Sequence, residues 1–578
     1  MRKGNSIYGI IAVLLLSLGA CSLIHDDPEE LGYREDGSAY AYVSLTIHTG
    51  TTGNVTRSNP TGGETGDGYE DGQTYENAVS NLTLFFYPAA LDDGGVNRNG
   101  DIEFTAKVYI TNPDPNWDMT DGDQPIDKTF TVGPVKVDGL KTNQQYHVLA
   151  VANAGKDFGS DITDLNGLRE KTISPVYTYN PDATDPQDVY SNFVMASEGD
   201  EHPELDIRYG NSEINPATTT IDLERLVARV DYQADADGYT FSITPGLNPA
   251  QAKITRAFLV NTYNQGTYVL KRVAEGSTTG TITYLGDESL SNYVIDPKTT
   301  SKTIPVPEDK NIPSWYDHYF PSLNDGNSEE WESWLIEGDE VIDPDNTQEA
   351  WLRLGYPKEN TSSVDAQGKY YSTGVVFEAE YNLGTGFTTG ETFFLVNGTT
   401  PFATLEEAME AHNTNFNKDR SFSSYADLQK YIEEILKDND PAGYKAFLQT
   451  AKETDTDWTV YEWANYKTNQ LGYTEGNPTA ATRKALHERV TGPNKTETFL
   501  NGRGYYTYWI RHNYGGEQEV SGLPMENAIV RNNIYKLTVR SIKEIGNDVP
   551  GDKTLDILVA VAKWNLLGEE NIELKPTN

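Results

Sequence analysis

The stretch "YVSLTIH", residues 42–48, decides the fold class. Val43, Leu45 and Ile47 alternate with Ser44, Thr46 and His48, the period of a strand with one face buried. The pattern recurs downstream. "LTLFFYP" (82–88) sets Leu82, Leu84 and Phe86 on one side, and "QYHVLAVANAG" (145–155) offers Tyr146, Val148 and Ala150 before a glycine stop. "DLERLVARVDYQ" (222–233) gives Leu226, Ala228 and Val230 as one face, with helical spacing not excluded. Between these runs lie clusters of Asp, Gly, Asn and Pro, so the reading is an antiparallel sandwich.

A second set of strands follows "DADGYTFSITPGLNPA" (235–250). "ITRAFLVNTYNQGTYVLKR" (254–272) reads as a hairpin around Asn264-Gln265-Gly266. "GVVFEAEY", "ETFFLVNG", "YYTYWIRHN", "NNIYKLTVRSIKEIG" and "TLDILVAVAKWNL" continue the alternation. Two domains are expected, 58–240 and 241–578, each long enough to bury its own core. Residues 401–490 break the pattern. In "SYADLQKYIEEILK" (424–437), Tyr425, Leu428, Ile432 and Ile435 share a helical face, with Ser424 and Asp427 spaced as a capping box. This segment is expected to be a partly helical insertion in the second sandwich.

Composition fixes the class of partner. With 87 acidic and 45 basic residues the net charge is -42, which argues against nucleic acid, because phosphate binding needs clustered Lys and Arg. No metal or cofactor is expected either. The eight histidines are scattered without an HExxH. There is no GxSxG and no P-loop. The acidic stretches "DDGGVNRNGDIE" (92–103), "ADADG" (234–238) and "DPDNTQE" (343–349) read as solvated turns. In the first, a calcium loop placed by its glycine Gly100 would begin at Gly95 instead of an Asp and have Ala106 instead of Glu at its twelfth position. An enzyme is not expected.

The N-terminus names a compartment. Arg2 and Lys3 precede the apolar run "IIAVLLLSLGAC" (10–21), which has the length of a signal-peptide core and is short for a bilayer span. "LGAC" is a lipobox, and Cys21 is the only cysteine. Residues 1–20 are therefore read as a lipoprotein signal peptide and Cys21 as the lipid-bearing residue. Membrane contact would come through acyl chains. The acidic "HDDPEE" after it is similar to export signals of surface lipoproteins.

Just beyond the first strand, Arg57 is the only Lys or Arg between Arg34 and Arg98, in the polar loop "TIHTGTTGNVTRSNP" (46–60). A solvated surface charge is the ordinary reading of such an arginine; the other is a protease handle, in which case a cut after Arg57 would leave 21–57 as a lipidated propeptide that holds the first strand. At the other end, "TLDILVAVAKWNL" (554–566) alternates Leu555, Ile557, Val559 and Val561 against Leu558, Ala560, Ala562 and Trp564. A strand apolar on both faces is central in a sheet or covered by a partner. If cleavage frees the strand of Val43, Leu45 and Ile47, the vacated edge exposes unpaired backbone. The 555–566 strand of a second copy could then fill it by strand addition. Four aliphatic side chains contribute about 1.5–3 kcal/mol each, roughly 6–12 together before ordering costs. Such a head-to-tail contact propagates into a filament when the rotation does not close.

The residues also carry a resemblance. "AYVSLTIHTG…VTRSNP", "IDLERLVARV", "ITRAFLVNTYNQGTYVLKR", "ETFFLVNG" and, most specifically, "VRNNIY" (530–535) followed by "ILVAVAKW" make the chain similar to the Bacteroidales fimbrillins. Among these it resembles the shaft subunits of the short, type V fimbriae. The resemblance implies two tandem transthyretin-like sandwiches and export to the outer-membrane surface as a lipoprotein. It further implies removal of the lipidated strand by an arginine-specific or trypsin-like protease, and donor-strand exchange into an extracellular fimbrium serving adhesion and biofilm formation. It maps lipid onto Cys21, cleavage onto Arg57–Ser58, and the donor onto 555–566, with Trp564 at the family's aromatic position. Partners would be further copies and related fimbrial subunits. The chain departs from the pattern at "GNDVPGDK" (546–553), which stands where the family member compared has a long proline-rich linker. Two other readings suit the same residues. One is a tip or accessory adhesin holding host glycan or protein through "SWYDHYF" and "EEWESWL". The other is a surface lipoprotein that binds or acts on glycan.

Overall fold

A computed structural model describes residues 39–49, 72–89, 102–113, 129–183, 189–197, 204–234, 236–243, 250–263, 266–271, 336–342, 350–360, 372–436, 442–473, 479, 485, 496–512, 527–550 and 556–563. They are mostly β-strands in several sheets, with a few helices. The described residues fall into two compact units: those within 39–49, 74–225 and 268–271 form the first, and the others form the second.

The first unit is built on β1 (Tyr40–His48), β2 (Asn81–Pro88), β3 (Ala106–Thr111), β4 (Thr129–Asp138), β5 (Gln144–Ala152), β6 (Met195–Ser197), β7 (Glu204–Ile207) and β8 (Ala217–Arg225). They form one eight-stranded sheet in the order β3-β2-β5-β6-β8-β1-β4, with β7 paired to β5. Leu82, Leu84 and Phe86 from one end of that sheet share a core with Val43, Leu45, Ile47, Val132 and Val137 from the other. The sheet thus faces itself, and the alternation in β1 is what lets it close. Tyr146, Val148 and Ala150 of β5 enter the same core.

The second unit is a sandwich of two sheets. One contains β9 (Arg229–Ala234), β12 (Asp339–Ile342), β13 (Ala350–Gly355), β19 (Asn533–Ser541) and β20 (Asp556–Lys563), ordered β12-β13-β9-β19-β20. The other contains β10 (Thr240–Ile243), β11 (Ala250–Val260), β14 (Gly374–Asn382) and β18 (Arg503–Trp509), in chain order. Val230, Tyr232, Leu537 and Val539 meet Phe241, Ile254, Phe377 and Tyr381 in its core. A short ribbon of β15 (Phe393–Val396), β16 (Thr400–Phe402) and β17 (Thr496–Phe499) lies beside it. β15 is buried on both faces: Phe393 and Leu395 join the sandwich core, while Phe394 and Val396 join a separate helical core.

That helical core lies between β16 and β17, within the stretch expected to be an insertion. Its helices are α1 (Leu405–His412), α2 (Tyr425–Ile435), α3 (Ala442–Leu448) and α4 (Trp463–Gln470). Leu428, Ile432 and Ile435 are buried as the spacing required, but Tyr431 is buried too, while Tyr425 is only half-buried. The capping box expected at Ser424 and Asp427 is half formed. Ser424 Oγ accepts from the Asp427 amide, whereas the Asp427 carboxylate turns to Ser423 and Arg420. The complete box belongs to α1, between Thr404 and Glu407.

One group ties this insertion together. Trp463 Nε1 and Lys467 Nζ of α4 both donate to Glu406 Oε1 of α1 at 2.8 Å. Burial opposes ionisation of Glu406, but the bonds from Lys467 and Trp463 hold its carboxyl below the ordinary value of 4.5. A depressed carboxylate stabilises the fold above its unfolded value, and that contribution is lost as the pH falls through the folded value. The insertion therefore loses stability as the pH falls below 4.5. Tryptophan fluorescence during denaturant titrations at several pH values checks this, and Glu406→Gln flattens the acid dependence.

Two sequence expectations need correction. "DLERLVARVDYQ" is not one strand, because β8 ends at Arg225 and β9 begins at Arg229. The Val227 carbonyl accepts from the Asn532 amide and the Ala228 amide donates to Pro357, so this turn carries the chain from one unit to the other. The two compact units part between Arg225 and Leu226. The hairpin expected around Asn264-Gln265-Gly266 does not pair its arms: β11 pairs with β10 and β14. Alternation reports a buried face and is silent about the neighbour.

Candidate functional site

β1 is the expected displaced strand. It lies second from the end of its sheet, between β8 and β4. Its pairing to β8 is parallel, Val43 opposite Ala217 through His48 opposite Asp222. Its pairing to β4 is antiparallel, Tyr40 opposite Asp138 through His48 opposite Thr129. Val43, Leu45 and Ile47 are each at most 1% exposed. Removing this strand would strip apolar surface from the core and leave two strands with unpaired edges.

Three features around β1 escaped the sequence reading. The register against β4 shifts between Val43 and Leu45, and Gly133 stands there at φ +113, where a Cβ would come within 2.6 Å of the Val43 carbonyl. Glycine is needed for that approach. The "VGPV" interruption in an otherwise alternating run was the available signal. At the C-terminal end of β1, His48 Nδ1 pairs with Asp222 Oδ1 at 2.8 Å. One residue on, the Thr49 carbonyl accepts from Arg225 Nη2 at 3.1 Å. Arg225 is wholly buried; its Nε donates to the Glu76 carbonyl at 2.9 Å and Nη2 also reaches Asn77 Oδ1. A buried guanidinium must keep its acceptors, so Arg225 fastens the end of β1 from inside the fold. An arginine in the apolar run "LERLVAR" was its only mark in the sequence.

β20, the expected donor, is the end strand of its sheet. It pairs antiparallel with β19 from Asn533 opposite Lys563 to Ser541 opposite Asp556. Ile557 is buried in the sandwich core; Val559 and Val561 stand opposite Leu537 and Tyr535. Leu555 and Trp564 lie outside the described residues, as do Cys21, Arg57 and Ser58. The aromatic segments at 314–320 and 329–335 and most of the acidic turns also lie there. Among the described residues no group of His, Cys, Asp and Glu is placed to hold a metal ion.

The motif "VRNNIY" leads into β19 and has a physical account. Arg531, fully buried, pairs with Glu359 at 2.8 Å. Asn532 takes the left-handed region at φ +56, which asparagine tolerates better than most residues. Asn533 Nδ2 donates to the Arg531 carbonyl, and the Tyr535 hydroxyl accepts from the Val530 amide and donates to the Ala528 carbonyl. The side chains of Arg531, Asn533 and Tyr535 thus hold the turn that leads into β19, which pairs with β9.

Comparison with known proteins gives the region a family. Residues 497–569 match the family model for the major fimbrial subunit protein type IV, fimbrillin, C-terminal. That span runs from β17 through β20, and its match is to a structural subunit and not to an enzyme. The recognition carried by "VRNNIY" and "ILVAVAKW" holds there. No curated protein matches the whole sequence significantly. Among solved structures, a proposed cell adhesion protein of Parabacteroides distasonis is similar at 12% identity, covering 92% of this chain and 99% of its own, with a TM-score of 0.35. A fimbrilin of Porphyromonas gingivalis W83 shows 12% identity over 92% and 99%, with a TM-score of 0.29. The tip fimbrial protein Mfa3 of Porphyromonas gingivalis, truncated at its C-terminus, shows 10% identity over 91% and 100%, with a TM-score of 0.30.

Proposed function

We propose that the protein is a subunit of a cell-surface fimbrium that polymerises by strand exchange. It is exported with lipid on Cys21, and a protease specific for arginine cuts the Arg57–Ser58 bond. The segment carrying β1 then leaves, and β20 of another copy enters between β8 and β4. The observation that supports this best is the position of β1. It is an apolar strand inside its sheet, yet only eight residues of chain separate His48 from Arg57. One cut therefore detaches a strand that the core needs. The fimbrillin match over the C-terminal strands supports the same reading.

The energetics favour replacement over an empty slot. Loss of β1 uncovers the core around Ile221 and Leu223 and deprives Arg225 of the Thr49 carbonyl. Any occupant must restore apolar cover and a backbone acceptor, and an uncut copy already has both. Polymerisation is thus confined to cleaved subunits. Purified Arg57→Ala protein treated with trypsin-like protease is expected to remain monomeric on an unheated gel, under conditions in which the parent forms ladders. Ladders of equal length from both would overturn the maturation step.

A further inference from the structure

The segment ahead of β20 is held far more firmly than a linker requires. The Gly546 amide donates to Tyr381 Oη at 2.8 Å, and Tyr381 Oη donates to Tyr506 Oη at 3.0 Å. Tyr506 Oη in turn donates to the Glu544 carbonyl at 2.6 Å. Asn547 and Tyr505 exchange both backbone bonds, at 2.9 and 3.0 Å, which adds one rung to the free side of β18. The Asp548 carboxylate, itself 4% exposed, accepts from the Thr498 amide at 2.8 Å. A Cβ at Gly546 would stand 2.5 Å from the Tyr505 carbonyl, so the backbone approach is available to glycine alone. Ile542 and Ile545 are buried in the sandwich core, and Val549 is buried as well.

We propose that residues 542–549 are the fixed root of the donor strand, with Asp548 as its positioning residue. The inference rests on the strand-exchange reading. When β20 leaves β19, the chain parts from its own sandwich at Pro550 and not earlier. From Pro550 to Asp556 there are six Cα steps, a reach of about 20 Å at full extension. The root thereby sets the distance between successive subunits. A peeled root would add eight residues of slack and a flexible joint. Satisfied chains of hydrogen bonds in a buried setting resist such peeling. This is also why a segment as short as "GNDVPGDK" suffices: half of it is body, not tether.

Backbone hydrogen exchange tests the root separately from the exchange itself. In polymer of the cleaved protein, the amides of Thr498, Gly546 and Asn547 are expected to stay protected as in the monomer. Their protection falling to that of exposed amides in the polymer would overturn the root. Whether β20 has left home is read elsewhere, from the β19 amides that face it. In the monomer, Asp548→Ala is expected to speed exchange at Thr498 at least tenfold while leaving β8 amides unchanged. Equal rates at Thr498 in variant and parent would overturn the role given to Asp548.

Discussion

Replacing Leu45 by alanine destabilises the uncut protein by about 2–5 kcal/mol, the usual cost of emptying a buried leucine site, and leaves the finished polymer unchanged. The first half follows from burial: Leu45 is 1% exposed within the core of its unit, where neighbours close only partly around a cavity. The second half separates this account from an ordinary core mutation. If β1 departs on maturation, a defect in β1 departs with it. Urea unfolding of uncut Leu45→Ala protein and of polymer grown from it should therefore give opposite answers relative to the parent. The variant is also expected to release its cut segment faster, because its hold on the slot is weaker. Equal destabilisation of monomer and polymer would mean that β1 stays.

The second large effect lies at the other end. A chain ending at Thr554 lacks β20 and is expected to remain folded and monomeric after cleavage at Arg57, with ladders absent altogether. Loss of Ile557 from the core costs about 1.5–3 kcal/mol, within the margin of a domain of this size. The first unit does not depend on β20, since no strand of its sheet pairs with it. Mixed with cleaved parent, the truncated chain should cap filaments, because it accepts a strand and offers none. Mean filament length then falls as its share rises.

What could be read from residue order was whatever is local or periodic. The faces of β1, β2 and β5 followed from alternation, and the helical insertion followed from a change of period at Tyr425. Pairing was not legible. The parallel contacts of β1 with β8 and of β9 with β19 join residues far apart in sequence, and alternation looks the same in parallel and antiparallel strands. The break between Arg225 and Arg229 was hidden because Leu226, Val227, Ala228 and Val230 are all fully buried, so an apolar run masked a turn. Buried charge was hidden too. Nothing in residue order pairs Arg225 with Thr49 or Arg531 with Glu359; the fold brings them together. "VRNNIY" could be matched as a pattern; why those six residues belong together needed the turn in view.

The central claim is that the place of β1 is taken by the tail of another copy, and a synthetic peptide of residues 553–566 tests it directly. The acceptor is the chain ending at Thr554, cleaved at Arg57. The account expects the peptide to bind saturably with release of the β1 segment, and to leave uncut acceptor untouched. Peptide that fails to bind cleaved acceptor, or that binds cut and uncut forms equally, would contradict it.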